Sequence, residues 1–350
     1  MIVPFPLTNQ LYAQKLRKMI ASENDLFELC DLNGTKIFDN ATVSNCIPFI
    51  KKSSPKDKLW ISNIDENRVI NKTLEKSFSE LVQDEKTLVW NVTQEKRETN
   101  KHSGMNVLGD FCYISKGMVL NSDEDSKNEK FKKLDLISEI QDEIHSRKFI
   151  EGKDCEKYFA NKIRFLEYNT ERVPSKLSRP TFPELYQNPK LMFNRLGELQ
   201  VFFDEVGDFT TSDAMFVCLT WKSLKNVENK SISSSIKKFS KLTRPQMEKL
   251  SETVDLKYLL GVMNSKYASV LLTNIRGDDY HIYPEHIRNI PIPTATKEQQ
   301  QEIISLVDKI LKAKKTKASA DTSSLEKEID SLVYKLYNLS KEEIDIIEGN

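Results

Sequence analysis

The feature that most constrains this chain is a rigid junction towards its C-terminal end. The stretch YHIYPEHIRNIPIP, residues 280–293, combines aromatic residues, room for one short helical turn and three prolines. Proline holds φ near −65° and bars the residue before it from helical conformation. We therefore expect IPIP to end that turn and to form a stiff elbow that sets the direction of the segment after it.

Two amphipathic helices are predicted after the elbow. Each carries a single apolar stripe, and the basic stretch KAKKTKASADTS between them is expected to be a flexible loop. Helices joined in this way pack as an antiparallel hairpin. Capping boxes are predicted at Thr296 with Gln299, Ser323 with Glu326 and Ser340 with Glu343.

The N-terminal part of the chain predicts a separate unit. IVPFP, LFELCDL and KIFDNATVSNCIPFIKK have the composition of strands, and residues 10–21 have helical spacing. The polar stretch 53–104 is expected to be a connector with one helix over 71–83. Because the first strand follows Met1 almost directly, we expect the chain to begin where a longer protein has been divided.

The middle of the chain mixes short strands with helices and has no βαβ rhythm. Asp255 and Ser265 are predicted N-caps of two of these helices. We therefore predict an α+β fold, a mixed curled sheet with helices on one side, plus the C-terminal helical hairpin. The expected divisions are an N-terminal domain end over 1–52, a connector over 53–104, an α+β domain over 105–293 and a helical spacer or docking hairpin over 294–350.

Composition limits the cellular compartments that fit this chain. Hydrophobic residues make up 39% of the chain and charged residues 30%, and no apolar run reaches the roughly 20 residues that a bilayer requires. The five cysteines are scattered, without a CxxC pair, which argues against a disulfide framework and a structural zinc site. We expect a cytoplasmic protein without membrane partners.

The sequence contains no complete motif of a known type of active site. There is no GxSxG, no Walker loop and no GxGxxG, and the four histidines do not have metal-ligand spacing. QNPKL lacks the second proline and aromatic residue that an amino-methyltransferase uses on a flipped adenine, and DCEKY lacks the spacing of a magnesium nuclease. We therefore predict binding, with no catalytic residue and no metal site in this chain.

Charge is balanced overall but uneven along the chain. Residues 145–195 hold 11 Lys/Arg against 6 Asp/Glu, and residues 221–250 hold 8 against 2. Since the field near one face decides association, a chain of zero net charge is still able to bind phosphate groups. The alternative interpretation is that these lysines form an ordinary solvated surface.

Five segments, in order, resemble a known family. They are LGDFCYISKGMVL, KFIEGKDCEKYF, NPKLMFNRLG, YLLGVMNSKYASVLL, and YHIYPEHIRNIPIP followed by KEQQQEIISLVDKIL. Together they are similar to the TaqI-like C-terminal specificity domain of fused type II restriction–modification methyltransferase–endonucleases, which is related to type I specificity subunits. Residues 1–50 resemble the end of the preceding adenine-specific methyltransferase domain. The resemblance therefore implies the end of a methyltransferase-like domain over 1–52 and a DNA target-recognition domain over 105–293.

The resemblance implies that this chain binds double-stranded DNA sequence-specifically. It would position an adenine-N6 methyltransferase or endonuclease domain that lies elsewhere, so that S-adenosylmethionine and magnesium are expected for the parent enzyme and no cofactor for this chain. Two stretches rich in Ser and basic residues are the candidate DNA-contacting loops: the first basic segment, 169–182, and the second basic segment, 224–246. Their candidate contacts are Arg172, Lys176, Arg179, Lys237, Lys238, Lys241 and Arg244.

Two other functions remain open from the sequence. The chain could be a protein-interaction scaffold that works through its C-terminal hairpin, or a divergent DNA methyltransferase or nuclease complete in itself. Turnover with S-adenosylmethionine or magnesium would distinguish the second of these from DNA binding alone.

Overall fold

The computed structural model describes residues 1–32, 45–65, 67–84, 88–90, 92, 102, 104–120, 133–168, 170, 182–276 and 281–349. The chain divides into two compact units. The first comprises residues 1–99 and 277–279, and the second comprises residues 100–276 and 280–350. The mixture of helices and open sheets confirms the predicted α+β class.

The first unit is built on a five-stranded sheet of order β1-β3-β2-β4-β5. β2 pairs antiparallel with β3 and parallel with β4, and a β-bulge interrupts β2 next to Phe27. A small two-stranded sheet, β6-β7, follows. The elements in order are β1 (Val3–Pro4), α1 (Pro6–Asn9), a 3-10 turn (Leu11–Ala13), α2 (Gln14–Glu23), β2 (Asp25–Asp31), β3 (Asn45–Lys51), β4 (Lys58–Ile64), β5 (Ile70–Ser77), α3 (Phe78–Leu81), β6 (Val82–Asp84) and β7 (Val89–Trp90).

The expected helix over 71–83 is wrong. Most of that stretch is β5, which pairs antiparallel with β4, and only α3 is helical. Ser77 forms a capping box with Glu80 and starts that short helix. Because β4 and β5 belong to the sheet, the first unit includes much of the stretch expected to be a connector.

The second unit contains two four-stranded sheets, of order β15-β14-β17-β8 and β16-β10-β13-β9, and the hairpin β11-β12. Its strands are β8 (Cys112–Lys116), β9 (Ile137–Ser138), β10 (His145–Ile150), β11 (Cys155–Glu156), β12 (Phe159–Ala160), β13 (Arg164–Glu167), β14 (Lys190–Asn194), β15 (Val201–Asp204), β16 (Phe209–Thr211) and β17 (Met215–Thr220). Its helices are α4 (Leu108–Phe111), α5 (Glu184–Gln187), α6 (Lys230–Phe239), α7 (Arg244–Ser251), α8 (Leu256–Asn264), α9 (Lys266–Arg276), α10 (Pro284–Arg288), α11 (Lys297–Thr316), α12 (Ser323–Leu336) and α13 (Lys341–Glu348), with 3-10 turns at Lys133–Leu136, Gly152–Asp154 and Trp221–Leu224.

The central strand β17 explains the near-continuous apolar run MFVCLT. Phe216 and Cys218 point into one apolar cluster, whereas Val217 and Leu219 point into a second. Side chains alternate between the faces of a strand, so a sheet covered on both sides needs apolar residues at every position. All six residues of β17 are accordingly buried.

The proline-rich junction is clamped from three sides. Ile292 N–H donates to Asn106 O (2.8 Å), and Leu108 N–H donates to Ile290 O (2.8 Å). The hydroxyls of Tyr258 and Tyr337 donate to the carbonyl oxygens of Pro293 (3.0 Å) and Pro291 (2.6 Å). These bonds join the start of the second unit, helix α8 and the end of α12 to one extended segment, which is how the expected elbow is held.

The predicted C-terminal hairpin of α11 and α12 is present and is part of the second unit's main core. Ile303, Val307 and Ile310 of α11 and Ile329 and Val333 of α12 are buried in the same apolar cluster as helices α8 and α9. The basic stretch expected to be a loop is partly helical, because α11 continues to Thr316.

The predicted helix caps have a mixed outcome. Thr296 and Ser340 cap α11 and α13 with the expected capping boxes, and Asp255 and Ser265 accept bonds from Lys257 N–H (2.7 Å) and Ala268 N–H (3.2 Å). The capping box at Ser323 is wrong, because the Ser323 hydroxyl donates to Asp321 Oδ1 (2.6 Å) and the helix begins one residue earlier than predicted.

Among the described residues, none of the helices has the length and apolarity to cross a membrane.

Candidate nucleic-acid interface

The second basic segment is helical rather than loop-like. After the 3-10 turn that ends β17, it forms α6 and then the start of α7. Asn229 caps α6, since its Oδ1 accepts from Ser231 N–H (2.8 Å). The expectation of a flexible loop is therefore wrong for residues 230–239, and the lysines at the end of α6 are presented by a helix.

Helix α6 has an apolar face and a basic one. Ile232 is fully buried and Ile236 packs beside it in the second apolar cluster. Lys237 and Lys238 are exposed in the last turn, where the helix dipole favours cations, and Lys241 is exposed just beyond the helix. No described carboxylate lies within 4.0 Å of the ammonium group of any of these three lysines, and all three side chains are exposed to solvent.

Arg244 differs from the three lysines because it is bound within the protein. Its Nε donates to Glu248 Oε1 (2.9 Å) and its Nη2 donates to Leu224 O (2.6 Å). These bonds tie the start of α7 to the 3-10 turn before α6. A guanidinium group has five N–H donors, so donors remain at this half-buried position for a further ligand.

The junction described above also anchors α6. The Arg288 guanidinium, at the end of α10, stacks 4.3 Å from the centroid of the Phe239 ring, and it donates to Ile114 O on β8. Trp221, in the 3-10 turn before α6, donates from its Nε1 to Gly109 O on α4 (2.9 Å). The C-terminal end of α6 is therefore held by Arg288, and the turn that precedes α6 is held to α4.

Lys241 acts electrostatically on Asp110 of α4. Burial raises the pKa of the Asp110 carboxyl group, while the Val107 N–H donor and the nearby Lys241 ammonium oppose that rise. The lysine therefore lies close to the N-terminal end of the second unit as well as to α6 and α7.

Arg172, Lys176 and Arg179 lie outside the described residues. The flanks of their segment, however, are placed. Phe182, directly after it, contacts Tyr113 with ring centroids 6.0 Å apart, and Trp221, before α6, contacts the same Tyr113 at 5.7 Å. Tyr168 on the other flank packs against the same apolar cluster. The described residues on both flanks of the first basic segment and the apolar face of α6 therefore pack in one cluster.

Outside this region, the described residues include an ion pair in the protein interior that stabilises the fold. Lys190 and Asp204 form a fully buried pair, and Asp204 also accepts N–H bonds from Gly207, Asp208 and Phe209 at 2.9 to 3.1 Å. The sequence has no local signal for this pair, because its members are 14 residues apart and lie on different strands. Within the described ranges, no group of three or more His, Cys, Asp or Glu side chains is arranged to hold a metal ion.

Comparison with known proteins identifies the fold. The structure of the type IIL restriction–modification enzyme MmeI in complex with DNA matches 100% of this chain and 49% of MmeI, with a TM-score of 0.52 and 10% sequence identity. The match to the type IIG restriction endonuclease BpuSI covers 96% of this chain and 46% of the BpuSI chain, with a TM-score of 0.35 and 14% identity. The match to the HsdS subunit from Thermoanaerobacter tengcongensis covers 67% of this chain and 44% of the HsdS chain, with a TM-score of 0.27 and 13% identity.

The predicted resemblance to restriction–modification enzymes is confirmed at the level of the fold, and it is the MmeI comparison that carries this conclusion. This chain spans about half the length of MmeI. No protein-family profile matches the sequence, and no curated protein matches it.

Proposed function

We propose that this chain binds a specific sequence of double-stranded DNA as the target-recognition part of a restriction–modification enzyme. Its catalytic partner would be an adenine-N6 methyltransferase domain, an endonuclease domain, or both, in the parent protein or in a separate subunit. S-adenosylmethionine and magnesium would then be cofactors of that partner.

One observation supports this proposal most strongly. The flanks of the first basic segment and the apolar face of α6 pack in one cluster around Tyr113, and Lys237 and Lys238 at the end of α6 form no ion pair with a described carboxylate. Lys and Arg side chains grouped on one surface neutralise phosphates and set the register of a protein on DNA. Polar side chains close to them are then able to reach the base edges in the major groove.

The residues have different proposed roles. Lys237, Lys238 and Lys241 would contact phosphates, since they are exposed and free of described ion pairs. Arg244 would position α6 and α7 through Leu224 and would offer its remaining donors to the DNA. Arg172, Lys176 and Arg179 would supply the contacts of the first basic segment.

A salt titration of duplex binding tests the phosphate contacts. The variant Lys237→Ala/Lys238→Ala/Lys241→Ala should weaken binding and reduce the slope of log K against log salt. The reduction should be about 0.9 for each phosphate that the variant no longer neutralises, or up to about 2.7 in total. Fluorescence anisotropy with a labelled duplex at several salt concentrations gives both the affinity and the slope.

The chain provides a matched control. Lys309, Lys312 and Lys315 are also exposed lysines near the end of a helix, and none has a described ion pair. Replacing these three by alanine should leave the slope unchanged. An equal loss of affinity in both triple variants would show that binding follows total charge and would overturn the proposed interface.

Sequence preference needs its own measurement. Selection of bound duplexes from a random pool should enrich one short motif, and mutation of an enriched base pair should cost about 1–3 kcal/mol of binding free energy. A pool that stays random would reduce the function to non-specific DNA binding. Methylated or cleaved DNA from the pure chain with S-adenosylmethionine or magnesium would favour the alternative of an enzyme complete in itself.

A further inference from the structure

The sheet of the first unit exposes aromatic side chains on one face, which we call the outer face. Glu28 on β2 lies opposite both Phe49 on β3 and Trp60 on β4, so these three share that face. Phe27 lies at the β-bulge, and its ring centroid is 6.1 Å from that of Phe49. Phe27 is 42% exposed and Trp60 is 36% exposed. Adjacent exposed rings of this kind mark a binding surface more often than isolated ones do.

The centre of the outer face is polar. Glu28 is buried, and its Oε1 accepts from the Ser62 hydroxyl (2.7 Å). Its Oε2 is 4.0 Å from the Lys72 ammonium, which lies 5.2 Å from the centroid of the Trp60 ring. An apolar helix packed here would bury this carboxylate and this ammonium against hydrocarbon, which is costly for charged groups.

The rim of the face is basic. Residues 45–77 contain seven Lys/Arg against four Asp/Glu. Lys51 follows Phe49 by two residues on β3 and Lys58 precedes Trp60 by two on β4, so both lie on the outer face. Lys58 is paired with Glu75 at 3.3 Å, and Lys51 is exposed.

We propose that the outer face binds unpaired bases of single-stranded nucleic acid. The bases would stack on Trp60 and on the Phe27–Phe49 pair, as bases do on aromatic side chains of sheet platforms. Glu28 Oε2 would accept from an exocyclic amino group, for which cytosine N4 is a suitable donor. Lys51 and Lys72 would neutralise the neighbouring phosphates. This site goes beyond the proposed duplex-binding function and belongs to the other unit.

Trp60 is a built-in reporter for this proposal. Of the three tryptophans, Trp90 and Trp221 are only 3% and 2% exposed, so a single strand on the outer face should quench mainly Trp60. Titration of the full chain with oligodeoxycytidine should quench the emission. An abasic strand of equal length should bind much more weakly, because it carries the phosphates without the bases.

Three variants test the contacts. Phe49→Ala should weaken oligodeoxycytidine binding about 5- to 150-fold, the range corresponding to one stacked base. Tyr12→Ala, which removes an aromatic ring of the same unit that is 78% exposed and lies in the 3-10 turn, should have no effect. Glu28→Gln should remove a preference for oligodeoxycytidine over oligodeoxythymidine.

Two results would overturn the proposal. Equal binding of the abasic strand would mean simple charge attraction and would overturn the proposal. Absence of binding to any single strand, with circular dichroism showing a folded protein, would also overturn it. The triple lysine variant of α6 should bind single strands normally, so failure of the duplex-binding proposal would be seen separately.

Discussion

The burial of His286 predicts a pH dependence of stability that can be worked out from the structure. His286 lies in α10, inside the junction, and is 6% exposed. Burial lowers the pKa of its imidazole from 6.5 to about 4, and the nearby Arg276 contributes to that change. Its Nδ1 accepts from Tyr283 N–H (3.3 Å), which requires the neutral form at that nitrogen.

The sign follows from proton binding in the two states. Between about pH 6.5 and 4, the unfolded chain holds a proton on this imidazole and the folded chain does not, so stability falls as the pH falls. With these two pKa values, the free energy of unfolding should be about 2 kcal/mol lower at pH 5 than at pH 8, and about 3.4 kcal/mol lower well below pH 4.

Other groups also titrate in this range, so the measurement compares two proteins. His286→Gln keeps a hydrogen-bond acceptor at this position of the helix and removes the titration. A Trp60→Phe/Trp90→Phe background leaves Trp221, in the second unit, as the fluorescence probe for urea unfolding. This choice matters because two units need not unfold in one transition.

The stability gap between the histidine and glutamine proteins should change by about 2 kcal/mol in favour of glutamine between pH 8 and pH 5. Titration of the His286 ring by NMR, assigned by its absence in the variant, should give a folded pKa near 4. A constant gap, or a ring that titrates near 6.5, would refute the buried neutral imidazole.

Two further predictions concern packing and charge in the second unit. Asp204→Ala leaves Lys190 fully buried without its partner and should cost about 3–5 kcal/mol of unfolding free energy in urea, whereas Lys162→Ala at the exposed Lys162–Glu139 pair should be within about 1 kcal/mol of wild type. A change in unfolding free energy below about 1 kcal/mol at Asp204 would contradict a desolvated pair. Gly261→Ala places a Cβ 2.5 Å from Ile303 Cγ2, where α8 meets α11, and should cost about 1–2 kcal/mol, the overpacking penalty less the gain in helix propensity. A stabilised variant would show that α8 and α11 separate easily.

The fold was predictable where the sequence carries local signals. Thr296 begins α11 as its capping box indicates, and Asp255 caps α8 as predicted. The error over 71–83 has a physical reason. Leu74, Phe78 and Leu81 have spacing that suits a helix, and only the neighbouring strand β4 makes residues 70–77 extended. Pairing with a partner distant in sequence overrides local pattern, and a single chain does not display it.

In the candidate interface too, some features follow from local sequence and others only from contacts between distant residues. Asn229 followed by Ile232 and Ile236 was a sufficient signal for α6, because a cap and two apolar residues four apart define one buried helix face. The content of serine and lysine suggested a loop and obscured that signal. What no local pattern contains is the position of Arg288, which comes from the proline-rich junction and stacks on Phe239 at the end of α6. The junction therefore does more than direct the C-terminal hairpin. The same short segment contacts the C-terminal hairpin of α11 and α12 and also the basic helix α6. Substitution of Arg288 should therefore weaken DNA binding, although this side chain faces the protein interior.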